Sequence, residues 1–204
     1  MGVDEDKRAT LRRFAAVGAA GPLARLAGGD SDDDDGASGS DVRDAITGYL
    51  ARTPGAHFSK LRDDLQLGTG ETQHHLRRLC ADGVVESVRD GEYKRFYPAG
   101  RFSAFERRAL GYLRRETARG MIRELLSNPD ASAGAVADAL DVSPATVSKY
   151  GAELEAAGVL SRADGYEIQE PETLVVLLVR YADSFDAATV AFASEAASMV
   201  SYDP

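Results

Sequence analysis

Polar and cationic side chains are concentrated in one short segment of this sequence. Its candidate recognition residues are Thr69, Gly70, Glu71, Gln73, His74, Arg77 and Arg78. Amide and guanidinium groups form paired hydrogen bonds with planar polar partners, and guanidinium groups also bind phosphate. Three more cations follow at Arg89, Lys94 and Arg95, beside Tyr93 and Tyr97. These residue types indicate recognition of a polar, anionic partner rather than a chemical reaction.

A metal site is an alternative use of the nearby metal-ligating residue types. The residues in question are His57, His74, His75 and Cys80. Their spacing lacks the CxxC or HxxxH pairs that bring two ligands onto one metal. We therefore expect no metal, no cofactor and no enzymatic activity, with Cys80 packed inward and the histidines at the surface or facing the partner. A redox link through Cys80 is a weaker alternative, because a buried helical thiol is usually inert.

The chain contains the same apolar pattern twice, with an offset of 75 residues. The first copy has Leu61, Leu65, Leu67, Leu79, Gly83, Val84 and Val85. The second has Val136, Leu140, Val142, Leu154, Gly158, Val159 and Leu160. The polar positions between these anchors differ at residues 71–75 and 146–150. A repeated core under a changed surface predicts one fold used twice, with two different surfaces.

The first copy, residues 41–100, is predicted to contain three helices and a hairpin. Ser40 is expected to cap a helix over residues 41–52, and Thr69 one over residues 70–82, with a short helix over 58–65 between them. The inward side chains of the first helix are expected to be Val42, Ile46, Tyr49 and Leu50. Asp90-Gly91, between β-rich runs at 84–88 and 93–97, predicts a tight hairpin. This element order is typical of a winged helix-turn-helix domain.

The second copy, residues 101–170, begins with a capping box at residues 103–106. A helical stretch is predicted to about residue 127, with a break near Thr117 as an alternative. Helices over 131–140 and 143–157 and a short wing complete this copy. Residues 171–204 are expected to be helical and to join two subunits, because residues 174–179 are apolar on all sides. The predicted fold is thus mainly α, with two tandem winged helix-turn-helix domains and a C-terminal helix.

Residues 1–40 are expected to form a disordered or weakly amphipathic arm with an acidic linker. Residues 30–40 are rich in Asp, Gly and Ser and cannot bury a core. Arg12 and Arg13 loosely resemble a twin-arginine export signal, which is the alternative. The acidic start of the chain and Arg25, which interrupts the apolar stretch, favour the arm.

The net charge of -9 lies mainly outside the first copy, because residues 41–100 carry 9 basic and 9 acidic side chains. Only four of the 24 basic residues are Lys and Asp is abundant, which suggests adaptation to high salt. The Debye length is roughly 3 Å at 1 M salt, so net charge neither supports nor excludes an anionic partner there. A single Cys fits the reducing cytoplasm, and no apolar run reaches the length of a membrane span.

Residues 65–79 and 142–150 resemble the turn and recognition helix of winged-helix transcription regulators. The whole of residues 41–170 is similar to the tandem winged-helix regulators common in salt-loving archaea. This resemblance implies a transcriptional regulator that binds double-stranded DNA, with a homodimer as the expected assembly. The second copy departs from the first at Gly151, which replaces Leu76, and its wing lacks an aromatic and basic strand. It is therefore expected either to bind DNA alongside the first or to serve as a partner and sensing module.

The chemistry of the side chains predicts roles for several candidates of the first copy, with Arg77 and Arg78 as merely solvated side chains the alternative. Gln73 pairs with adenine edges and Arg77 with guanine or phosphate, while the wing cations follow the backbone or enter the minor groove. The candidates of the second copy are Ser143, Ala145, Thr146, Ser148 and Lys149. A cationic stripe on the connecting helix contains Arg108, Arg115, Arg119 and Arg123. This stripe is expected either to contact phosphates or to pair with acidic groups of the second copy. For the protein as a whole, the alternative function is a protein-interaction scaffold without sequence-specific DNA binding.

Overall fold

The computed structural model describes residues 2–19 and 37–199 of the chain. The chain divides into two compact units, Met1–Phe102 and Ser103–Pro204. Each unit contains a helix-turn-helix followed by an antiparallel hairpin, and the described residues are mainly helical. The structure thus confirms the predicted class, a mainly α protein with two winged helix-turn-helix domains in tandem.

The first unit contains four helices and a three-stranded sheet within its described residues. Its elements are α1 (Gly2–Ala19), α2 (Ala37–Arg52), β1 (Ala56–His57), α3 (Phe58–Asp64), α4 (Thr69–Ala81), β2 (Val85–Asp90) and β3 (Tyr93–Pro98). The strands are antiparallel in the order β1-β3-β2. β2 and β3 pair as far as Asp90 and Tyr93, so the hairpin turns at Gly91 and Glu92, where Gly91 adopts a positive φ of 60°. A two-residue turn of this kind favours Gly because φ is positive.

The core of the first unit lies between α2, α3, α4 and the sheet. The inward side chains predicted for α2, Val42, Ile46, Tyr49 and Leu50, are all buried. They pack with Leu61, Leu65, Leu76, Leu79, Val84, Val85 and Phe96. Burying one large apolar side chain contributes about 1.5–3 kcal/mol, so this cluster is the main source of stability for the elements around it.

The N-terminal arm, expected to be disordered or weakly amphipathic, is helical over residues 2–19. Residues 2–19 form helix α1, which packs on α2. Leu11 is buried, and the ring of Phe14 lies edge-on to that of Tyr49 with 5.3 Å between centroids. Tertiary packing thus stabilises a helix whose own amphipathic pattern is weak. The acidic run at residues 30–35 lies outside the described residues.

The start of α2 also differs from the prediction. The helix begins at Ala37 rather than at residue 41, so Ser40 lies inside it and does not cap it. Thr69 is likewise the first residue of α4, and Gly68 occupies the cap position with an extended backbone. In both cases a residue whose side chain could cap a helix lies near the start, but the helix begins before the position that was predicted.

The second unit repeats the helix-turn-helix and adds two helices at its C-terminal end. Its elements are α5 (Ala104–Leu113), α6 (Glu116–Ser127), α7 (Ala133–Leu140), α8 (Pro144–Ala156), β4 (Leu160–Ser161), β5 (Glu167–Ile168), α9 (Pro171–Arg180), a 3₁₀ turn (Ala182–Ser184) and α10 (Ala187–Met199). Ser103 caps α5 with the reciprocal hydrogen bonds of a capping box to Glu106, as predicted. The connecting helix is broken at Arg114 and Arg115, close to the alternative break point.

The internal repeat is reproduced in the backbone at the same offset. Helices α3 and α7 begin at residues 58 and 133, and α4 and α8 run over residues 69–81 and 144–156. The turn before each of the latter helices contains a left-handed residue at the matching position, Gln66 with φ 54° and Asp141 with φ 52°. Gly83 and Gly158 are left-handed after the same helices. The two copies therefore share their turns as well as their apolar anchors.

Helix α9 is only partly buried within the second unit, although residues 174–179 are apolar on all sides. Leu174, Leu177 and Leu178 are buried, whereas Val176 is 58% and Val179 40% exposed. The buried face packs against α5 and α10. Among the described residues, no helix combines the length and the apolar character that crossing a membrane requires.

Candidate nucleic-acid interface

Helix α4 presents a buried face to the core and a polar face to solvent. Thr72, His75, Leu76 and Leu79 are buried, at the three- and four-residue spacing of one helix face. Gln73, His74 and Arg77 are exposed on the other side, and Thr69 and Gly70 are exposed in the first turn. The Thr72 hydroxyl donates to the Gly68 carbonyl at 2.8 Å, which ties the start of the helix to the preceding turn. The helix therefore offers a short polar surface held by a rigid core.

Two of the predicted α4 candidates are less accessible. The Glu71 carboxylate accepts from the Gly68 backbone N–H at 3.1 Å and pairs with Lys7 Nζ at 3.1 Å. Arg78 is half-buried. Glu71 thus stabilises the start of α4 and anchors α1 to it. Sequence reasoning missed Lys7, because its partner is 64 residues away and no local pattern connects them.

The hairpin places two exposed cations directly opposite each other. Arg89 of β2 pairs in register with Lys94 of β3, and both side chains are exposed. Like charges at directly opposed positions destabilise a strand pair by up to about 1 kcal/mol. An anion bound between them would remove this repulsion. The Lys94 ammonium also lies 5.6 Å from the centroid of the Phe96 ring.

Arg95 corrects the expectation of three exposed cations on the wing. The residue is only 2% exposed, forms a salt bridge with Asp90, and donates from Nη1 to the Gly55 carbonyl at 3.0 Å. Successive side chains on a strand face opposite sides, so Lys94 and Arg95 cannot both face the same partner. Because Lys94 and Arg95 are consecutive in the predicted strand, the sequence alone could have shown that only one of them faces a given side. Arg95 holds the hairpin against the loop before β1, and the wing keeps two exposed cations.

The described residues contain no group of three or more His, Cys, Asp or Glu side chains that could hold a metal ion. His57 Nδ1 accepts from the Lys60 backbone N–H at 3.3 Å and caps α3, and its ring lies 5.1 Å from that of Tyr93. Burial, assisted by Arg95 and Lys60, lowers the pKa of His57. His75 is buried, against the expectation of a surface position. Cys80 is half-buried, and burial raises the pKa of its thiol.

The corresponding helix of the second copy, α8, is capped but less cationic. The Ser143 hydroxyl accepts from the Thr146 backbone N–H at 3.2 Å. Ala145, Ser148 and Lys149 are exposed, and Thr146 is half-buried. Lys149 Nζ lies 4.0 Å from the Glu153 carboxylate, so its charge is partly compensated. This helix has the shape of a recognition helix with a weaker positive charge.

Tyr166 explains why Gly151 replaces the leucine of the first copy. A Cβ atom built on Gly151 would lie 2.9 Å from the Tyr166 hydroxyl and 3.2 Å from its Cζ. The Tyr166 ring thus occupies the space that a longer side chain at residue 151 would enter. The second wing itself is short, with two pairs of residues in register, and Arg162 forms a salt bridge with Glu155 at 2.7 Å.

The cationic stripe on α5 and α6 is used for contacts within the second unit. Arg115 pairs with Glu153 at 3.0 Å, and the Arg108 Nε donates to the Ala157 carbonyl at 2.9 Å. Arg119 is buried and pairs with Asp186 at 2.5 Å, and Arg123 pairs with the same carboxylate at 3.2 Å. The stripe therefore stabilises the second unit, and the phosphate-binding alternative is wrong for Arg119.

The fold and the exposed polar faces of α4 and α8 define a tandem winged helix-turn-helix protein. A family model described as an N-terminal HTH domain matches residues 40–110, and one described as winged helix-turn-helix DNA-binding matches residues 114–161. The chain thus carries two helix-turn-helix domains in tandem, as in a tandem winged helix-turn-helix regulator, and its general function is that of a DNA-binding regulator. No curated protein and no solved structure matched the chain.

Proposed function

We propose that the first domain binds double-stranded DNA with α4 in the major groove and the β2–β3 hairpin on the adjacent backbone, and thereby regulates transcription. The observation that carries this proposal is the set of exposed cations on these two elements, Arg77, Arg89 and Lys94. Within the described part of the chain, no carboxylate forms a salt bridge with any of the three. The DNA partner makes the cytoplasm the proposed location.

Phosphate binding follows from the arrangement of the cations. Arg89 and Lys94 oppose each other across the hairpin, and a phosphate between them replaces repulsion by two attractions. Such contacts position a protein on the duplex without reading its sequence. We assign the wing to this role.

Base reading is assigned to the exposed face of α4. The Gln73 amide can pair with an adenine edge and the Arg77 guanidinium with a guanine edge, each worth about 1–3 kcal/mol against a wrong base. Thr69, Gly70 and His74 lie exposed beside them. Glu71 and Arg78 take supporting roles, because the first is paired with Lys7 and the second is half-buried.

The second domain is proposed to add a weaker contact through the N-terminal part of α8. Its candidates remain Ser143, Ala145, Thr146, Ser148 and Lys149. One observation favours a second candidate function for this domain, namely protein binding. Its wing exposes Asp164 and Glu167, and its cation Arg162 is already paired with Glu155.

A homodimer is proposed to present two copies of α4 to two half-sites one DNA turn apart. The support is the exposed apolar side chains of the C-terminal helices. Val176, Val179 and Val190 are 58%, 40% and 39% exposed. Burial of such side chains against a second copy would remove apolar surface from water.

The test is binding of the full chain to labelled DNA fragments, including the region upstream of its own gene, over a range of KCl concentrations. The logarithm of the association constant is expected to fall linearly with log[KCl], with a slope of about −0.9 for each phosphate neutralised. Arg77→Ala/Lys94→Ala is expected to weaken binding and to flatten the slope by about one phosphate contact or more. Arg52→Ala/Arg101→Ala, which removes two exposed cations that lie outside α4, the wing strands and α9, serves as the charge-matched control for the double variant.

Selective binding that the double variant loses and the control keeps would support the proposal. Equal losses in the variant and the control would refute the assigned residues. No selective binding by folded protein at any KCl concentration would favour the protein-interaction function instead.

A further inference from the structure

A groove separates the exposed face of α4 from the wing strand β3. It is lined by Phe58, Gln73, Leu76, Arg77, Cys80, Lys94 and Phe96. Helix α4 contributes positions 73, 76, 77 and 80, which lie on one helix face, and β3 contributes positions 94 and 96, which lie on one side of the strand. The volume is about 390 Å³, within the range of small-molecule sites.

The floor and the rim of the groove differ in chemistry. Leu76 and Phe96 are buried in the core, and Phe58 and Cys80 pack against that core while still reaching the groove. Gln73, Arg77 and Lys94 are exposed at its rim. The groove therefore combines an apolar floor with two cations and one amide.

The charge of the groove is uncompensated by the residues that line it. No acidic side chain is among them, and neither Arg77 nor Lys94 forms a salt bridge in the described ranges 2–19 and 37–199. Burial raises the pKa of the Cys80 thiol, so this group stays neutral and does not repel an anion. An anion that enters the groove gains two cations without displacing an existing partner.

We propose that this groove binds a small amphipathic carboxylate, with its apolar chain or ring on Phe58, Leu76 and Phe96 and its carboxylate between Arg77 and Lys94. A sugar-phosphate backbone would contact the two cations but would leave the apolar floor exposed to water. An amphipathic carboxylate would contact the cations with its carboxylate and cover the floor with its apolar part. Since Arg77 and Lys94 are also assigned to DNA, the bound carboxylate competes with DNA. This regulatory consequence rests on the proposed function.

Cys80 provides a direct readout, because it lines the groove and is the single cysteine of the chain. The full chain is labelled with iodoacetamide, a small neutral reagent, and the rate is followed by intact mass. Millimolar octanoate is expected to slow labelling several-fold at constant ionic strength. Octylammonium, with the same chain length and the opposite charge, is expected to leave the rate unchanged. Equal protection by both probes, or none by octanoate, would overturn the proposal.

Variants test which cations hold the carboxylate. In Arg77→Gln/Lys94→Gln, the ratio of labelling rates with and without octanoate is expected to return to one. Arg52→Gln, which removes an exposed cation at the end of α2, is expected to keep the wild-type ratio. Comparing ratios within each protein removes any effect of the substitution on the thiol itself, and circular dichroism confirms that each variant is folded. Persistent protection in the double variant would contradict the assignment.

The labelling experiment contains no DNA, so its failure is distinct from a failure of the proposed function. Charge-dependent protection in a protein that binds no DNA would uphold the groove site and remove its regulatory role. Selective DNA binding without octanoate protection would refute the groove site and leave the proposed DNA-binding function intact. Where both are observed, octanoate is expected to weaken DNA binding and octylammonium is not.

Discussion

The ion-pair network around Asp186 gives a quantitative test of how the second unit is held together. The Asp186 carboxylate accepts two hydrogen bonds from Arg119, at 2.5 and 3.0 Å, and one from Arg123 at 3.2 Å. It also accepts the Thr189 backbone N–H at 2.7 Å at the start of α10. Arg119 is buried, and its Nη1 donates to the Leu113 carbonyl at 2.7 Å. One carboxylate thus joins α6 to the start of α10.

The perturbation is Asp186→Asn, which keeps an oxygen for the Thr189 backbone N–H but removes the charge. Removing one partner of a buried ion pair costs about 3–5 kcal/mol, because the remaining charge is left uncompensated. The Asp186 side chain is 35% exposed, so water replaces part of the lost partner. After this discount we expect a loss of about 2 kcal/mol in the free energy of unfolding at pH 7.

The same network predicts a pH dependence of defined sign. Burial acts to raise the pKa of Asp186, but hydrogen bonds from Thr189 and Arg119 outweigh it and lower this pKa from 3.8 to about 2. A lowered pKa contributes stability that is fully present above 3.8 and is lost as the pH falls toward 2. At about 1.4 kcal/mol per pKa unit the full shift corresponds to roughly 2 kcal/mol, and partial exposure reduces it to about 1–2 kcal/mol.

The assay is urea denaturation followed by circular dichroism, at pH 7 and at steps down to pH 2. The difference between wild type and Asp186→Asn is expected to be largest at pH 7 and to narrow below pH 4. Asp183→Asn, on an exposed residue of the neighbouring 3₁₀ turn, is the matched control and is expected to show no such difference. A variant within about 0.5 kcal/mol of wild type at pH 7, the range of ordinary surface substitutions, would refute the reasoning.

Gly151→Leu, which introduces the residue type of the first copy, is expected to destabilise the second unit by about 1 kcal/mol, because overlap with Tyr166 outweighs a gain of roughly 0.8 kcal/mol in helix propensity. Thermal melting checks this, and Tyr166→Ala in the same chain is expected to recover part of the loss; additive losses would contradict the overlap. Val176→Asp is expected to convert the proposed homodimer to a monomer without changing its fold, because Val176 is 58% exposed. Light scattering measures the mass, and an unchanged mass would argue against an interface on α9.

The sequence predicted those parts of the candidate site that depend on neighbouring residues. It did not predict the side chains whose exposure depends on partners far away in the chain. The exposed positions of α4 follow from helix periodicity around Leu76 and Leu79, which are buried as that periodicity requires. The hairpin follows from Asp90-Gly91. Arg95 was wrongly predicted to bind DNA, because its positive charge was considered without its position on the strand, which turns its side chain to the side opposite Lys94. Lys7 was missed because it reaches Glu71 only after α1 has packed on α2.

The sequence by itself determined the two helix-turn-helix copies, because apolar periodicity and turn residues act over a few neighbouring positions and recur at the same offset. The left-handed residues Gln66 and Asp141 occupy matching turns for the same reason. Tertiary structure alone decided which cations remain exposed. Arg119 meets Asp186 across 67 residues and becomes structural, whereas Arg77 and Lys94 meet no carboxylate among the described residues and remain at the groove. The role of a charged side chain depends on its neighbours in space, and these are determined only when the chain has folded.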